Sequence, residues 1–370
     1  MNDTFLLGTS ALTLAYLHKQ WRCVVLLCLA ACVGALLVPL RTQAAGTPAS
    51  AGSSVQSPQE TMDALARANQ AVVGVQVTAA EGARSVSTLG KQRMGSGVVI
   101  GNDGLIVTIG YLMLEAETIQ IVTHDKKIVP ARAVAYDLAT GFGLIRPLIP
   151  LRGMTPVAMG SAAESQAGDA LMASTGAQAG DDADVNMTQL VSKRAFSGYW
   201  EYHIDTALFT SPPIGNHSGA PLFNQRGQLL GIGSLFVMDA LGQNRRLPGN
   251  MFVPIDLLKP IMAEMTQTGS SKMSIRPWLG VTSSDQGGRV QIVRVAQDSP
   301  AKEAGLQAGD VVLAIDDTKV STLEGFYKKL WDRAAPQSPV RLSVLQGAEI
   351  KSIVLTPVDR MSTMQKPGGI

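Results

Sequence analysis

The chain has 370 residues and a mass of 39.0 kDa, too long for one ordinary hydrophobic core and suited to two domains with extra segments. Charged residues make up 16% and apolar residues 46%, which excludes a disordered chain and a coiled coil. With 31 Lys and Arg against 29 Asp and Glu, the net charge of +2 creates no field that steers a polyanion, so nucleic acid is not an expected partner.

The first feature in chain order is the apolar run at 23–40, CVVLLCLAACVGALLVPL, with Lys19 and Arg22 on its leading side. A helix rising ~1.5 Å per residue would span about 27 Å here, barely a bilayer core. Basic residues hold the leading side in the cytoplasm, so everything after Leu40 is expected to be exported. Residues 1–45 therefore read as a signal or transmembrane segment. Three fates stay open for it: an uncleaved inner-membrane anchor, a leader cut after Ala44 or Ala45, or a lipoprotein whose box is Leu29-Ala30-Ala31-Cys32. All three cysteines, Cys23, Cys28 and Cys32, fall inside this segment. The exported part then has neither disulfide nor thiolate metal site nor cysteine nucleophile.

Residues 46–60, small and polar, read as a flexible tether. A short helix is expected at 62–70, followed by β-branched strands at 71–78, 97–100, 105–108, 119–122, 129–135 and 143–145. Further strands are expected at 229–232 and 251–255, with turn signals such as Gly101-Asn102-Asp103-Gly104 and Asn224-Gln225-Arg226-Gly227 between them. Short strands at this spacing imply antiparallel barrels or a sandwich. A helix at 256–267 closes the region and 268–271 reads as a linker. The last hundred residues form their own unit, with strands at 280–281, 289–295, 310–315 and 340–346. Its helices are expected at 299–304, stopped by Gly305, and at 323–334. The tail from 361 to 370 reads as loose.

Two sets of residues carry a family resemblance. GSGVVIGNDGLIVT at 95–108, SGAPLFNQRGQLLGI at 218–232 and MFVPID at 251–256 resemble HtrA/DegP-type trypsin-like serine proteases. PWLGV at 277–281 and SPAKEAGLQAGDVVLAI at 299–315 resemble the PDZ domain of the same proteases. The resemblance implies a mainly β protein: a trypsin-like double β-barrel at 61–270, then one PDZ domain, a β-sandwich with two helices, at 271–360. It also implies a homo-oligomer, a trimer, and no cofactor.

Acyl transfer by serine needs a hydroxyl, a base and donors for the oxyanion. Carried over by position, the family's base histidine falls on Tyr111 and its orienting aspartate on Gly141, with Asp137 matching an earlier aspartate of that motif. Ser218 keeps the nucleophile slot, but Gly215-Asn216-His217 before it departs from the family's Gly-Asn, which puts the oxyanion donors in doubt. A tyrosine with ordinary pKa ~10 is protonated at pH 7 and is a poor base. The four histidines, His18, His124, His203 and His217, read first as surface or structural groups, with His203 the candidate for a substitute base. A metal site from His203 and His217 lacks a thiolate and an evident carboxylate partner, so no metal is expected. The aromatic cluster Tyr199, Trp200 and Tyr202 reads as a substrate shelf or, more simply, as barrel core or rim.

A PDZ domain captures a chain end by adding a strand to its sheet while loop N–H groups hold the carboxylate. The resemblance places that loop at Leu279, Gly280 and Val281, with Phe326 and Leu330 as pocket candidates and Gly280 leaving room for the ligand backbone. The expected function is an exported, membrane-anchored, catalytically impaired protease homologue of the bacterial periplasm. It would bind peptides or unfolded-protein C-termini as a scaffold in envelope protein quality control. The alternative is an active serine endopeptidase using Ser218 with a non-standard base.

Overall fold

The structure, a computed structural model, describes residues 56–366 apart from 179–180, 243–244 and 334. The apolar run at 23–40 and most of the expected tether lie outside the described residues. Among the described residues no helix is long and apolar enough to cross a membrane. The tether is shorter than expected at its far end, because a helix already begins at Pro58 and runs to Gln70. Ser57 and Glu60 form a capping box there, with Ser57 N–H donating to Glu60 at 2.7 Å and Glu60 N–H to Ser57 Oγ at 3.2 Å, and Pro58 suits the first helical position.

The strands β1 (Val72–Ala79), β2 (Gln92–Val99), β3 (Ile106–Ile109), β4 (Ala116–Val122), β5 (Ile128–Tyr136) and β6 (Phe142–Pro147) close a barrel in the order β1-β2-β3-β6-β5-β4. Their apolar residues, buried almost continuously along β1, β3 and β6, enter a core that includes Val75, Ile106, Ile121, Phe142 and Leu144. A second closed barrel, ordered β10-β11-β12-β9-β8-β7, uses β7 (Ala170–Thr175), β8 (Asp184–Gly198), β9 (Tyr202–Ser211), β10 (Pro221–Phe223), β11 (Leu229–Val237) and β12 (Gly249–Pro254). The barrels meet backbone to backbone: a Cβ on Gly74 would lie 1.8 Å from the Ala177 carbonyl oxygen, so only glycine fits this seam.

The helix expected at 256–267 is broken into a 3-10 turn, Ile255–Leu257, and an α-helix, Met262–Thr268. Pro260 explains the break, since it has no N–H to give and disfavours helical backbone at Lys259. The following stretch is not a free linker. Tyr136 N–H donates to Gly269 O at 2.9 Å, while Ser271 and Ser274 are buried and donate to Asp137 Oδ1.

The C-terminal unit contains β13 (Pro277–Trp278), β14 (Val281–Ser284), β15 (Val290–Val295), β16 (Val311–Ile315), β17 (Thr318–Lys319), β18 (Val340–Gln346), β19 (Glu349–Leu355) and β20 (Val358–Asp359). Its main sheet runs β14-β15-β16-β18-β19, leaving β14 at an edge, and β13 pairs β20. Helices Pro300–Glu303 and Leu323–Trp331 pack on it, capped by Ser299 and Thr322. The second ends at Trp331, three residues before expectation, with Asp332 as its C-cap. The segment after Arg360, expected loose, forms a 3-10 turn to Thr363, and Gln365 N–H donates to Glu115 at 3.1 Å.

Candidate functional site

The seam between the barrels brings Tyr111 and Ser218 together. β3 runs directly into the 3-10 turn Gly110–Met113, which aims Tyr111 across the seam. Tyr111 Oη lies 2.7 Å from Ser218 Oγ and 2.9 Å from the Ser234 carbonyl oxygen. A carbonyl only accepts. With a single phenol proton, both contacts are satisfied when Tyr111 donates to Ser234 and the Ser218 hydroxyl donates to Tyr111. Burial pushes the Tyr111 phenol up to about 12, against the pull of its bond to Ser218. The group next to the serine hydroxyl is therefore a neutral phenol at pH 7, with little basicity to offer.

The position expected to orient a base is Gly141, whose φ of +85° is one that side-chain-bearing residues rarely adopt. A Cβ there would point at the Tyr202 ring and hydroxyl, 3.5–3.7 Å away. Tyr202 donates to the Thr140 carbonyl at 2.7 Å and stacks on Trp200, centroids 5.9 Å apart and planes 15° off parallel. An aromatic ring thus fills the space beside Gly141. Asp137 is no substitute, because its buried carboxylate accepts from Thr140 N–H at 2.8 Å, Thr140 Oγ1 at 2.6 Å, Ser274 at 2.7 Å and Ser271. Asp137 fastens a turn to the barrel exit.

Ser218 sits in a tightly tied loop. Its carbonyl accepts from Ser96 N–H at 2.8 Å, Gly219 N–H donates to Gly233 O at 2.8 Å and Ala220 N–H to His217 O at 3.0 Å. Gly219 is required by geometry: at φ +75° a Cβ would lie 2.0 Å from the Ser96 carbonyl oxygen. Asn216, two residues ahead of the serine, takes a left-handed backbone at φ +48°. The histidines do not converge on it. His203 is buried, with Nδ1 2.9 Å from Ser197 Oγ and Nε2 3.2 Å from Asp205 Oδ1, so both ring nitrogens are engaged away from Ser218. His124 Nε2 lies 2.8 Å from Asn69 O. His217 is half-buried, and burial lowers its pKa. His18 lies outside the described residues.

The carboxylate partners that sequence reasoning lacked for His203 do exist, since ligand atoms of His203, Asp205 and Glu324 lie within 4.8 Å of one another. Lys328 Nζ already sits among them, 2.7 Å from Asp205 and 2.8 Å from Glu324, and supplies the cation there.

The second constellation is the loop 279–281. The N–H groups of Leu279, Gly280 and Val281 all donate to one carboxylate, that of Glu201, at 2.9, 2.7 and 2.8 Å. Side chains of Leu279 and Val281 lie in the core of the C-terminal unit. Phe326 and Leu330, expected to line a pocket, are wholly buried in that same core, because the helix turns them inward at three- and four-residue spacing. Tyr327 is buried in that core as well, but its hydroxyl reaches the β8–β9 turn: it accepts from Glu201 N–H at 3.2 Å and donates to Gly198 O at 2.9 Å. The need for glycine at 280 comes from φ +88° and from Ser299, whose Cβ a side chain would meet at 2.3 Å. Ligand approach is not the first reason for it. Glu201 and Tyr327 are the site residues that the sequence did not single out, and Tyr202 was noted only as part of an aromatic cluster. The one local signal was a carboxylate embedded in the aromatic run Tyr199-Trp200-Glu201-Tyr202.

Comparison with known proteins matches two stretches of the chain to families. The trypsin-like peptidase domain family matches residues 95–232, and the PDZ domain family matches 277–356. The chain is 26% identical over 293 residues to a probable periplasmic serine endoprotease, DegP-like, of Halomonas elongata, covering 75% of this chain and 59% of that protein. It is 26% identical over 274 residues to serine endoprotease DegS of Haemophilus influenzae, covering 70% and 75%. The chain thus spans about three fifths of the first relative's length. Among solved structures, the HtrA-type protease AlgW with decapeptide and the serine endoprotease from Yersinia pestis each align with a TM-score of 0.50 and 20% identity. They cover 83% and 82% of this chain and 99% of each structure, a likeness of fold. With two matched domains in this order and these relatives, the chain belongs to the HtrA/DegP-like proteins, a trypsin-fold domain followed by a PDZ domain.

Proposed function

We propose that this protein is a catalytically impaired member of its family that acts as a peptide-binding scaffold. The observation that carries the reading is the neutral phenol of Tyr111 held 2.7 Å from Ser218 where a base belongs. Gly141 and the Tyr202 ring beside it leave no group to orient a base. The second half of the reading rests on the loop 279–281, whose three converging N–H groups form a receptor for a carboxylate. The ligands are peptides and unfolded-protein C-termini. The working domains are a trypsin-like domain at 61–270 and a PDZ domain at 271–360. Its place is the periplasm, the compartment named for several relatives, with the segment at 23–40 as inner-membrane anchor and envelope protein quality control as the setting. By family habit the assembly is a trimer.

The test is covalent labelling of the purified protein with a fluorophosphonate serine probe, with Ser218→Ala as control. No labelling in folded protein is the expected result. Labelling of the parent alone shows an activated Ser218 and establishes the active endopeptidase in place of the scaffold. Peptide binding is tested separately, by fluorescence anisotropy of peptides with a free C-terminal carboxylate against their C-terminal amides. A preference for the free acid is expected.

A further inference from the structure

The three amides that would receive a chain-end carboxylate are already engaged by a carboxylate of the same chain. Glu201 belongs to the tight turn between β8 and β9, at the far tip of the longest hairpin of the second barrel. Its backbone is in the left-handed region, φ +58°. That conformation is uncommon for a residue with a side chain. Here it turns the carboxylate out of the hairpin and into the loop 279–281, where it is buried.

Contacts on either side extend the match beyond one ion. β14 is the edge strand of the C-terminal sheet, and an edge presents N–H groups that call for a partner. Ser283 N–H, on that edge, donates to Tyr199 O at 2.8 Å. Facing it, Tyr327 on the helix Leu323–Trp331 holds Gly198 O and Glu201 N–H. The tip therefore lies between the edge strand and the helix, with one main-chain bond to the strand and its carboxylate in the loop. Strand addition by an extended peptide that ends in a carboxylate makes this set of contacts.

We propose that the hairpin tip 198–201 is a built-in ligand of the C-terminal groove, so that an external chain-end carboxylate binds only by displacing Glu201. The proposal rests on the peptide-binding reading above and adds the regulation of that site. It also gives the barrels a role that needs no catalysis: the second barrel supplies the competitor. Binding of a peptide frees the tip from the groove, and the signal passes into β8 and β9 rather than into Ser218.

The experiment compares the full-length protein with Glu201→Ala and Glu201→Gln, without ligand and with a free-acid peptide. Without ligand, amide hydrogen exchange at Leu279, Gly280 and Val281 is expected to be at least tenfold faster in Glu201→Ala than in the parent. The free-acid peptide is expected to bind Glu201→Ala at least tenfold more tightly, with Glu201→Gln intermediate. Should Glu201→Ala fail to fold by circular dichroism, Tyr327→Phe, which removes the latch on Gly198 and Glu201, takes its place with the same expected directions. Unchanged exchange at the three amides overturns the proposal, as does equal peptide affinity in parent and variant. Faster exchange in Glu201→Ala without peptide binding by either protein supports the seat of the tip while removing the peptide-binding reading, so the two stand or fall separately.

Discussion

Where the family resemblance expects an imidazole, Tyr111 sets a phenol against Ser218, and under the proposed function this contact leaves Ser218 without a base. The spacing from Thr108 is what pointed to Tyr111 in the sequence, and the motif around Asp137 is what pointed to Gly141. Tyr202 was not legible as their companion, because its contact with Thr140 joins residues 62 positions apart, a distance over which no local pattern speaks. That contact decides what reversion can achieve. Tyr111→His restores a base with no carboxylate to fix its tautomer, and loss of the orienter costs about 10⁴-fold in turnover. Peptide hydrolysis by Tyr111→His should therefore remain at the background of Ser218→Ala. Two glycines of the serine loop offer a paired check at the same scale. Gly219→Ala drives a Cβ into the Ser96 carbonyl and should lower stability by more than about 2 kcal/mol. Gly215→Ala meets nothing within 4 Å and should stay within about 0.5 kcal/mol in urea denaturation.

Strands whose residues are apolar on nearly every position announced themselves, as β1, β3 and β6 did, since their burial is almost continuous. β8 did not. Its run DVNMTQLVSKRAFSG is exposed or half-buried along most of its length and carries no clean alternation, because register and partner come from β7 and β9 rather than from its own pattern. β19 is missed for the same reason, being exposed at nearly every position. The exit of the second barrel shows a polar group doing the joining. Asp137 was read as a remnant of a catalytic motif, yet its carboxylate ties the β5–β6 turn to Ser271 and Ser274. Asp137→Ala leaves those buried donors without an acceptor and should cost about 3 kcal/mol in urea unfolding.

Across the whole molecule, the contact between the second barrel and the C-terminal unit is set to respond to acidity. Burial pushes the Glu201 carboxyl up to about 7 from 4.5, against the pull of the three amide donors and of Arg360. The groups facing it are Tyr327, whose pKa burial raises further, and Arg360, while His203 on the same hairpin is committed to Ser197 and Asp205. Docked Glu201 holds a proton that a released tip gives up between pH 4.5 and about 7. Its contribution is thus complete below 4.5 and falls away as pH rises through 7, a change on the order of 2–3 kcal/mol. Stability of the parent minus that of Glu201→Gln, followed from pH 4.5 to 8, should decline across this window. A flat difference would remove the titration from the account.

The hairpin tip is fastened to the barrel at both of its ends, whereas a peptide from elsewhere must find the groove by diffusion. A tethered competitor acts at an effective concentration on the order of millimolar. If tip and peptide each grip the loop at about 10 μM, the tip occupies it about 99% of the time and a free peptide appears about 100-fold weaker. Scarce chain ends then leave the protein unmoved, and only an accumulation toward millimolar opens it. The geometry of one glutamate would in this way set a threshold, so that the molecule reports on abundance rather than on the presence of a ligand.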